Sequence, residues 1–189
     1  MTKSKTTQPV TTNVVQGRDL FQTPNYATRL LTPFIPEGIR IIWEPACGNY
    51  KIFDVLVMET EATIFGTDLS WENGENFLTD TYKNYNFDCI ITNPPFSLKR
   101  KFFEKCIELD VPFALLIPAD YCMWTIEAIT KYGCEKIIPT RRIDYITPTG
   151  KSGLTGQSSN FHSLWLTRGF NLGQSETFAE LTSEMKKDV

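Results

Sequence analysis

One histidine, His162, stands in the whole sequence of 189 residues, so no multi-histidine metal site can be built. The five cysteines (Cys47, Cys89, Cys106, Cys122 and Cys134) are scattered and contain no CxxC pair. An odd, dispersed set argues against a disulfide framework. It suits reduced thiols packed as small apolar groups in a cytoplasm-like compartment. No apolar run approaches the length of a membrane span, and the opening MTKSKTTQPVTTNVVQG lacks the apolar block of a signal peptide. Basic charge is also short. With a net charge of −3, any nucleic-acid surface must be local rather than domain-wide. What remains is an ordinary globular balance, 41% hydrophobic and 22% charged, at a length that fits one domain with a substantial core.

Short apolar runs punctuate the chain: IRIIW, ATIFG, FDCIIT, VPFALLIP, CEKIIP and NFHSLWL. Stretches of helical periodicity lie between them, at Ile52 to Glu59, SLKRKFFEKCIELD and Met123 to Tyr132. Ahead of the first run, FQTPNYATRLL reads as a helix with Thr23 as its cap and Pro24 in its first turn. Ser97 is a candidate cap for the helix over SLKRKFF. This alternation predicts an α/β domain with a mostly parallel sheet, whose ligands bind beyond the carboxyl ends of the strands. The expected organisation is a flexible tail over residues 1–16, a domain over 17–170 and a polar tail over 171–189.

Three strand ends carry unusual chemistry: EPACGN, GTDL and NPPF. In NPPF, Pro94 holds Asn93 extended, and neither proline offers an N–H to a ladder or a helix. The Asn93 side-chain oxygen and the Pro94 carbonyl are then free to converge as acceptors, with Phe96 as a flat face beside them. Two acceptors and a ring suit a planar group bearing an amino substituent. Such an amine is a poor nucleophile because its lone pair is delocalised. Hydrogen bonds to both N–H groups favour a pyramidal nitrogen, and positioning with fixed dipoles then lowers the barrier. The plainer reading of NPPF is a proline-ended strand before a capped helix, with Phe96 in the core.

The order FQTP, WEPACGN, GTDL, NPPF resembles the adenine-specific DNA methyltransferases, especially short phage-type members, over roughly residues 19 to 169. NPPF is its most specific element. The motif is shared with RNA adenine methyltransferases and, with tyrosine as the last residue, with protein-glutamine methyltransferases. The resemblance implies a Rossmann-like α/β fold, a mostly parallel seven-stranded sheet with the last strand antiparallel and helices on both faces. It implies S-adenosylmethionine as cofactor, no metal, and methyl transfer to the N6 amine of adenine. Asn93, Pro94, Pro95 and Phe96 would be catalytic. Glu44, Pro45, Ala46 and Gly48 would line the methionine end of the cofactor, and Thr23 and Pro24 would close it. Asp68 and Leu69 would meet the ribose, and Asn76 and Phe77 the adenine. Two positions depart from the pattern: Tyr50 stands where the family has a second glycine, and Asn76 where it often has an aspartate.

The expected partner is DNA, with RNA as the alternative, in a bacterial or phage-infected cell. A base inside a duplex must be flipped to reach a strand-edge pocket, which demands phosphate contacts. Lys99 and Arg100, and Arg141, Arg142 and Lys151 in the Gly/Ser-rich stretch from 141 to 160, are the candidates. A partner subunit supplying target recognition to this chain, or to an inactive relative, is a further possibility. His162, Trp43, Trp71 and Trp165 read as core or surface residues, while Tyr121 and Trp124 follow a strand end and are candidates for the substrate pocket.

Overall fold

Side chains along each central strand alternate between two apolar clusters, one on each face of a sheet. Ile42, Cys89, Ile91, Ala114, Leu116 and Trp165 go to one cluster. Trp43, Ile90, Phe113, Leu115, Ile117 and Leu166 go to the other. Strands buried on both faces read as continuous apolar runs, which is why the sequence announces them so clearly. The computed structural model describes residues 19, 21–72, 74–79, 83, 85–146 and 161–189. The expected tail over 1–16, and Lys151, lie outside the described residues.

The sheet has seven strands: β1 (Ile41–Glu44), β2 (Thr63–Gly66), β3 (Cys89–Thr92), β4 (Phe113–Pro118), β5 (Glu135–Pro139), β6 (Ser163–Arg168) and β7 (Glu176–Ala179). Their spatial order is β2-β1-β3-β4-β6-β5-β7. All pairings are parallel except those of β6, which runs antiparallel to both β4 and β5. The antiparallel strand is the NFHSLWL run, and one further strand follows it. Among the described residues four α-helices flank the sheet: α1 (Asn25–Arg29), α2 (Lys51–Glu59), α3 (Lys99–Leu109) and α4 (Met123–Thr130). Tyr26, Leu30, Ile52 and Leu56 bring α1 and α2 onto one face. Phe102, Phe103, Trp124 and Ala128 bring α3 and α4 onto the other. Buried indoles are satisfied: Trp165 Nε1 donates to the Ala27 carbonyl at 2.9 Å and Trp43 Nε1 to Thr67 Oγ1 at 3.0 Å. A buried donor left unpaired costs about 1–3 kcal/mol.

Residues 171–189 differ from the expected polar tail. Glu176–Ala179 extends the sheet as its edge strand, parallel to β5, and Ala179 and Leu181 are buried. An edge strand with an open face needs few apolar positions, so its composition stays polar. Beyond it, Asp188 pairs with Arg29 on α1, and Lys186 pairs with Asp144 at 2.8 Å.

β1 is the pivot of the topology. From it the chain goes to β2 on one side and then crosses to β3 on the other. The loops after β1 and β3 therefore leave neighbouring strand ends in opposite directions and open a crevice between them.

Candidate active site

Asn93, Pro94, Pro95 and Phe96 follow directly on β3 and border a cavity of about 90 Å³ at the pivot. Glu44, Ala46, Cys47 and Gly48, from the end of β1 and its loop, form a second wall. Asp68, beyond β2, closes a third side, and Phe21, Gln22 and Thr23 close the cavity from ahead of α1. Four segments far apart in sequence thus meet in one place. An isolated two-residue bridge holds the FQTP segment there: Gln22 and Ile146 exchange backbone hydrogen bonds of 2.9 and 3.0 Å.

Glu44 is 1% exposed. Burial pushes its carboxyl well above the ordinary range, against the hydrogen bonds from the Cys47 thiol (3.3 Å) and the Phe53 backbone that favour the charged form. Asp68 Oδ2 accepts from the Gly48 N–H at 2.7 Å, and Oδ1 accepts from Ser70 N and Oγ at 2.8 and 2.5 Å. Gly48 has a φ of +52°, and a Cβ there would lie 3.3 Å from Gln22 Oε1, so the position favours glycine twice over.

Tyr50 also adopts the left-handed conformation, with φ at +62°, which is uncommon for a residue with a side chain. Its ring stacks on Trp71 at 4.9 Å and 19°, and Trp71 Nε1 donates to the Gly48 carbonyl at 3.3 Å. A glycine at this position would take such a backbone freely. Here an aromatic pair holds it instead.

Asn93 Nδ2 donates to Thr23 Oγ1 at 3.1 Å, while Asn93 Oδ1 is buried without a hydrogen-bond partner. Thr23 is not the cap of α1. Pro24 occupies the cap position and no side chain caps the helix, because the Thr23 hydroxyl is turned to Asn93. Ser97 likewise caps nothing: its Oγ donates to Asp19 Oδ2 at 2.6 Å, and Leu98 is the cap residue of α3. Phe96 is half-buried, edge-on to Tyr145 at 5.6 Å and to Phe161 at 5.4 Å.

Several expected residues stand elsewhere. Pro24 and Pro45 are buried behind the cavity rather than bordering it. Leu69 is 59% exposed. Asn76 is exposed, and its Oδ1 accepts from the Leu78 N–H at 3.0 Å. Phe77 is a core residue against Trp43 and Phe102, with ring centroids at 5.3 and 4.7 Å. Trp124 is buried against Phe103. Tyr121 and His162 border a different cavity, about 470 Å³, on the α4 face between β4 and β7. Lys99 pairs with Asp120, beyond β4, at 2.6 Å, and Arg100 with Glu104 one turn along α3 at 2.8 Å. Arg141 is exposed and donates to Ser183 at 2.6 Å; Arg142 is exposed beside it.

Sequence reasoning missed Asp19, Phe21, Gln22, Cys47, Lys51 and Ile52 as cavity residues. Lys51 and Ile52 had a positional signal, since they open the helix immediately after the glycine loop. Asp19 had none; only the fold brings it to Ser97. Among the described residues no cluster of metal-ligating side chains is present, and no helix is long and apolar enough to cross a membrane.

No protein-family model matches the sequence, and no curated protein matches it. Solved structures do. The fold is similar to that of the methyltransferase subunit of a type I restriction-modification system from Streptococcus thermophilus, with a TM-score of 0.57 at 13% identity. The match covers 89% of this chain and 52% of that one, so the chain spans about half the length of its counterpart. The type IIG restriction endonuclease BpuSI matches at a TM-score of 0.47 and 12% identity, over 84% of this chain and 25% of that one. A release-factor-specific protein-(glutamine-N5) methyltransferase from Alicyclobacillus acidocaldarius matches at 0.38 and 17%, over 75% and 86% of the two chains. The strand order, the crevice at its pivot and the first of these matches together give the chain the Rossmann-like fold of S-adenosylmethionine-dependent methyltransferases.

Proposed function

We propose that the protein transfers a methyl group from S-adenosylmethionine to the exocyclic N6 amine of adenine in DNA. The observation that carries this reading is Asn93 Oδ1, a buried acceptor with no partner, in a cavity shared with a buried carboxyl and a glycine loop.

The residues present fit the cofactor at its reacting end. Glu44, Ala46 and Gly48 would hold the methionine portion, with Lys51 as a cation at the start of α2, and Asp68 would accept from the ribose. About 90 Å³ is room for a few heavy atoms only; ligand pockets span roughly 300–1,000 Å³. The nucleoside end needs room beyond this cavity. When bound, the cofactor supplies a methyl carbon on a positively charged sulfur, which leaves with the electron pair of the broken bond. Asn93 Oδ1 and the Pro94 carbonyl would accept from the two amine hydrogens and turn the nitrogen lone pair out of the ring plane. Phe96 would hold the base by stacking, worth roughly 1–3 kcal/mol. The amine forms the new N–C bond and releases one proton to solvent or a carboxylate.

Arg141 and Arg142, both exposed, would meet phosphate. RNA is the alternative substrate. A non-catalytic relative working with a partner subunit is a second reading, and the small volume of the cavity favours it. Calorimetry with S-adenosylmethionine, followed by transfer assays on matched DNA and RNA oligonucleotides, decides among the three. Binding with transfer to DNA is expected. Binding with transfer to RNA alone moves the substrate, and no binding at all selects the non-catalytic reading.

A further inference from the structure

A threonine directly ahead of a helix-opening proline normally caps that helix, yet the Thr23 hydroxyl is spent elsewhere. Thr23 is 4% exposed, and its oxygen accepts from Asn93 Nδ2 at 3.1 Å across 70 residues of sequence. The other end of the same amide, Oδ1, is buried and has no hydrogen-bond partner. An asparagine amide has two flips. In the observed one, one N–H donates to the Thr23 hydroxyl and the carbonyl oxygen lacks a partner. In the other, the hydroxyl would donate to Oδ1 and both N–H donors of the amide would lose their acceptor. Orphaned buried N–H groups are tolerated less well than an under-satisfied carbonyl. The observed flip therefore leaves one fewer N–H unbonded, and among the described residues Thr23 alone bonds the Asn93 side chain.

We propose that Thr23 is the positioning residue of the site: it locks the Asn93 amide with its carbonyl open, so that the site takes substrates that present an N–H donor and rejects those that present a carbonyl or ether oxygen at the same place. This rests on the amine-methylation reading above. It deepens that reading by assigning the selection of an amine to a residue outside the NPPF motif. The backbone around Thr23 supports such a duty. Pro24 sets the backbone at the start of α1, and the Gln22–Ile146 bridge fixes the residue on the other side.

The test compares Thr23→Val, which keeps shape and removes the hydroxyl, with Thr23→Ser, which keeps the hydroxyl. On an adenine-containing oligonucleotide, Thr23→Val is expected to lose about tenfold in kcat, the size of one hydrogen bond, with KM and cofactor Kd nearly unchanged. Thr23→Ser is expected to keep kcat within about threefold. The Asn93 side-chain amide protons, followed by nitrogen-15 NMR in the full chain, are expected to exchange slowly in the wild type and in Thr23→Ser and faster in Thr23→Val. Wild-type kcat in Thr23→Val, a loss confined to cofactor affinity, or a Thr23→Ser variant as slow as Thr23→Val would each overturn the proposal. If the wild type methylates neither DNA nor RNA, the functional reading fails and the NMR arm alone decides the lock. Protection lost in Thr23→Val upholds it, and protection equal in both contradicts it.

Discussion

After β3 the chain turns through two prolines and uses no left-handed residue; after β1 it turns through two, Gly48 and Tyr50. The first turn is fixed by covalent geometry. Pro94 and Pro95 leave their backbone little freedom, and the Asn93 amide is tied to Thr23. The second turn is fixed by weaker means. A tyrosine holds a conformation that costs roughly 1–2 kcal/mol for a residue with a Cβ, and its ring rests on Trp71. Strain of this kind persists only where the surroundings impose it, and it collects at sites that move. The difference separates two duties. The β3 corner is ready before any substrate arrives, as catalysis by fixed dipoles requires. On the reading proposed above, the β1 loop, whose Gly48 borders a cavity too small for a whole cofactor, is the part that gives way.

The comparison can be broken most severely at the rigid side. Asn93→Ala removes the open acceptor and should lower kcat by about 100- to 1,000-fold, the usual scale for one preorganised polar group, while calorimetry shows cofactor binding intact. Full transfer activity in a folded Asn93→Ala protein would mean that the corner does not orient the amine. Phe96→Ala should act next in size, raising KM for nucleic acid by roughly 5- to 100-fold through lost stacking, again with little change in cofactor Kd. A cofactor Kd that rises as much as KM would place Phe96 in the wrong subsite.

On the yielding side the effects are smaller and fall on cofactor binding. Gly48→Ala meets a φ of +52° and the Gln22 side chain; it should weaken cofactor binding by about tenfold and leave kcat at saturation close to wild type. Equal losses in kcat would show that the two loops are not separable. The smallest effect concerns pH. Because burial raises the Glu44 carboxyl, the folded state keeps its proton where the unfolded chain loses it. The contribution is complete below the unfolded value of about 4.3 and is lost as pH rises toward the folded value. Denaturant unfolding at about pH 5 and about pH 8 should show wild-type stability falling with pH and Glu44→Gln falling less. Parallel curves for the two proteins would mean that Glu44 is ionised in the fold.

Much of this was readable in the chain and some was not, for physical reasons. The first six strands were legible because each is a short apolar run, and the central ones are buried on both faces. β7 was not, because an edge strand such as Glu176–Ala179 exposes Phe178 and needs little apolar sequence. NPPF, Glu44, Gly48 and Asp68 were legible because strand ends in such a sheet converge at one crevice. Thr23 was read as a cap, since local rules cannot see a hydrogen bond to a residue 70 positions away. Phe77 was placed at the cofactor by motif resemblance, although its aromatic character and its neighbours among Trp43, Tyr85 and Phe87 suit the core it occupies.

The most direct test is to incubate the wild-type protein with methyl-labelled S-adenosylmethionine and DNA, digest to nucleosides and locate the label by mass spectrometry. An open carbonyl acceptor beside a stacking ring predicts label on the N6 nitrogen of adenine. Label on a ring carbon or on a ribose oxygen, or cofactor that binds and is never turned over on any nucleic acid, would contradict the account.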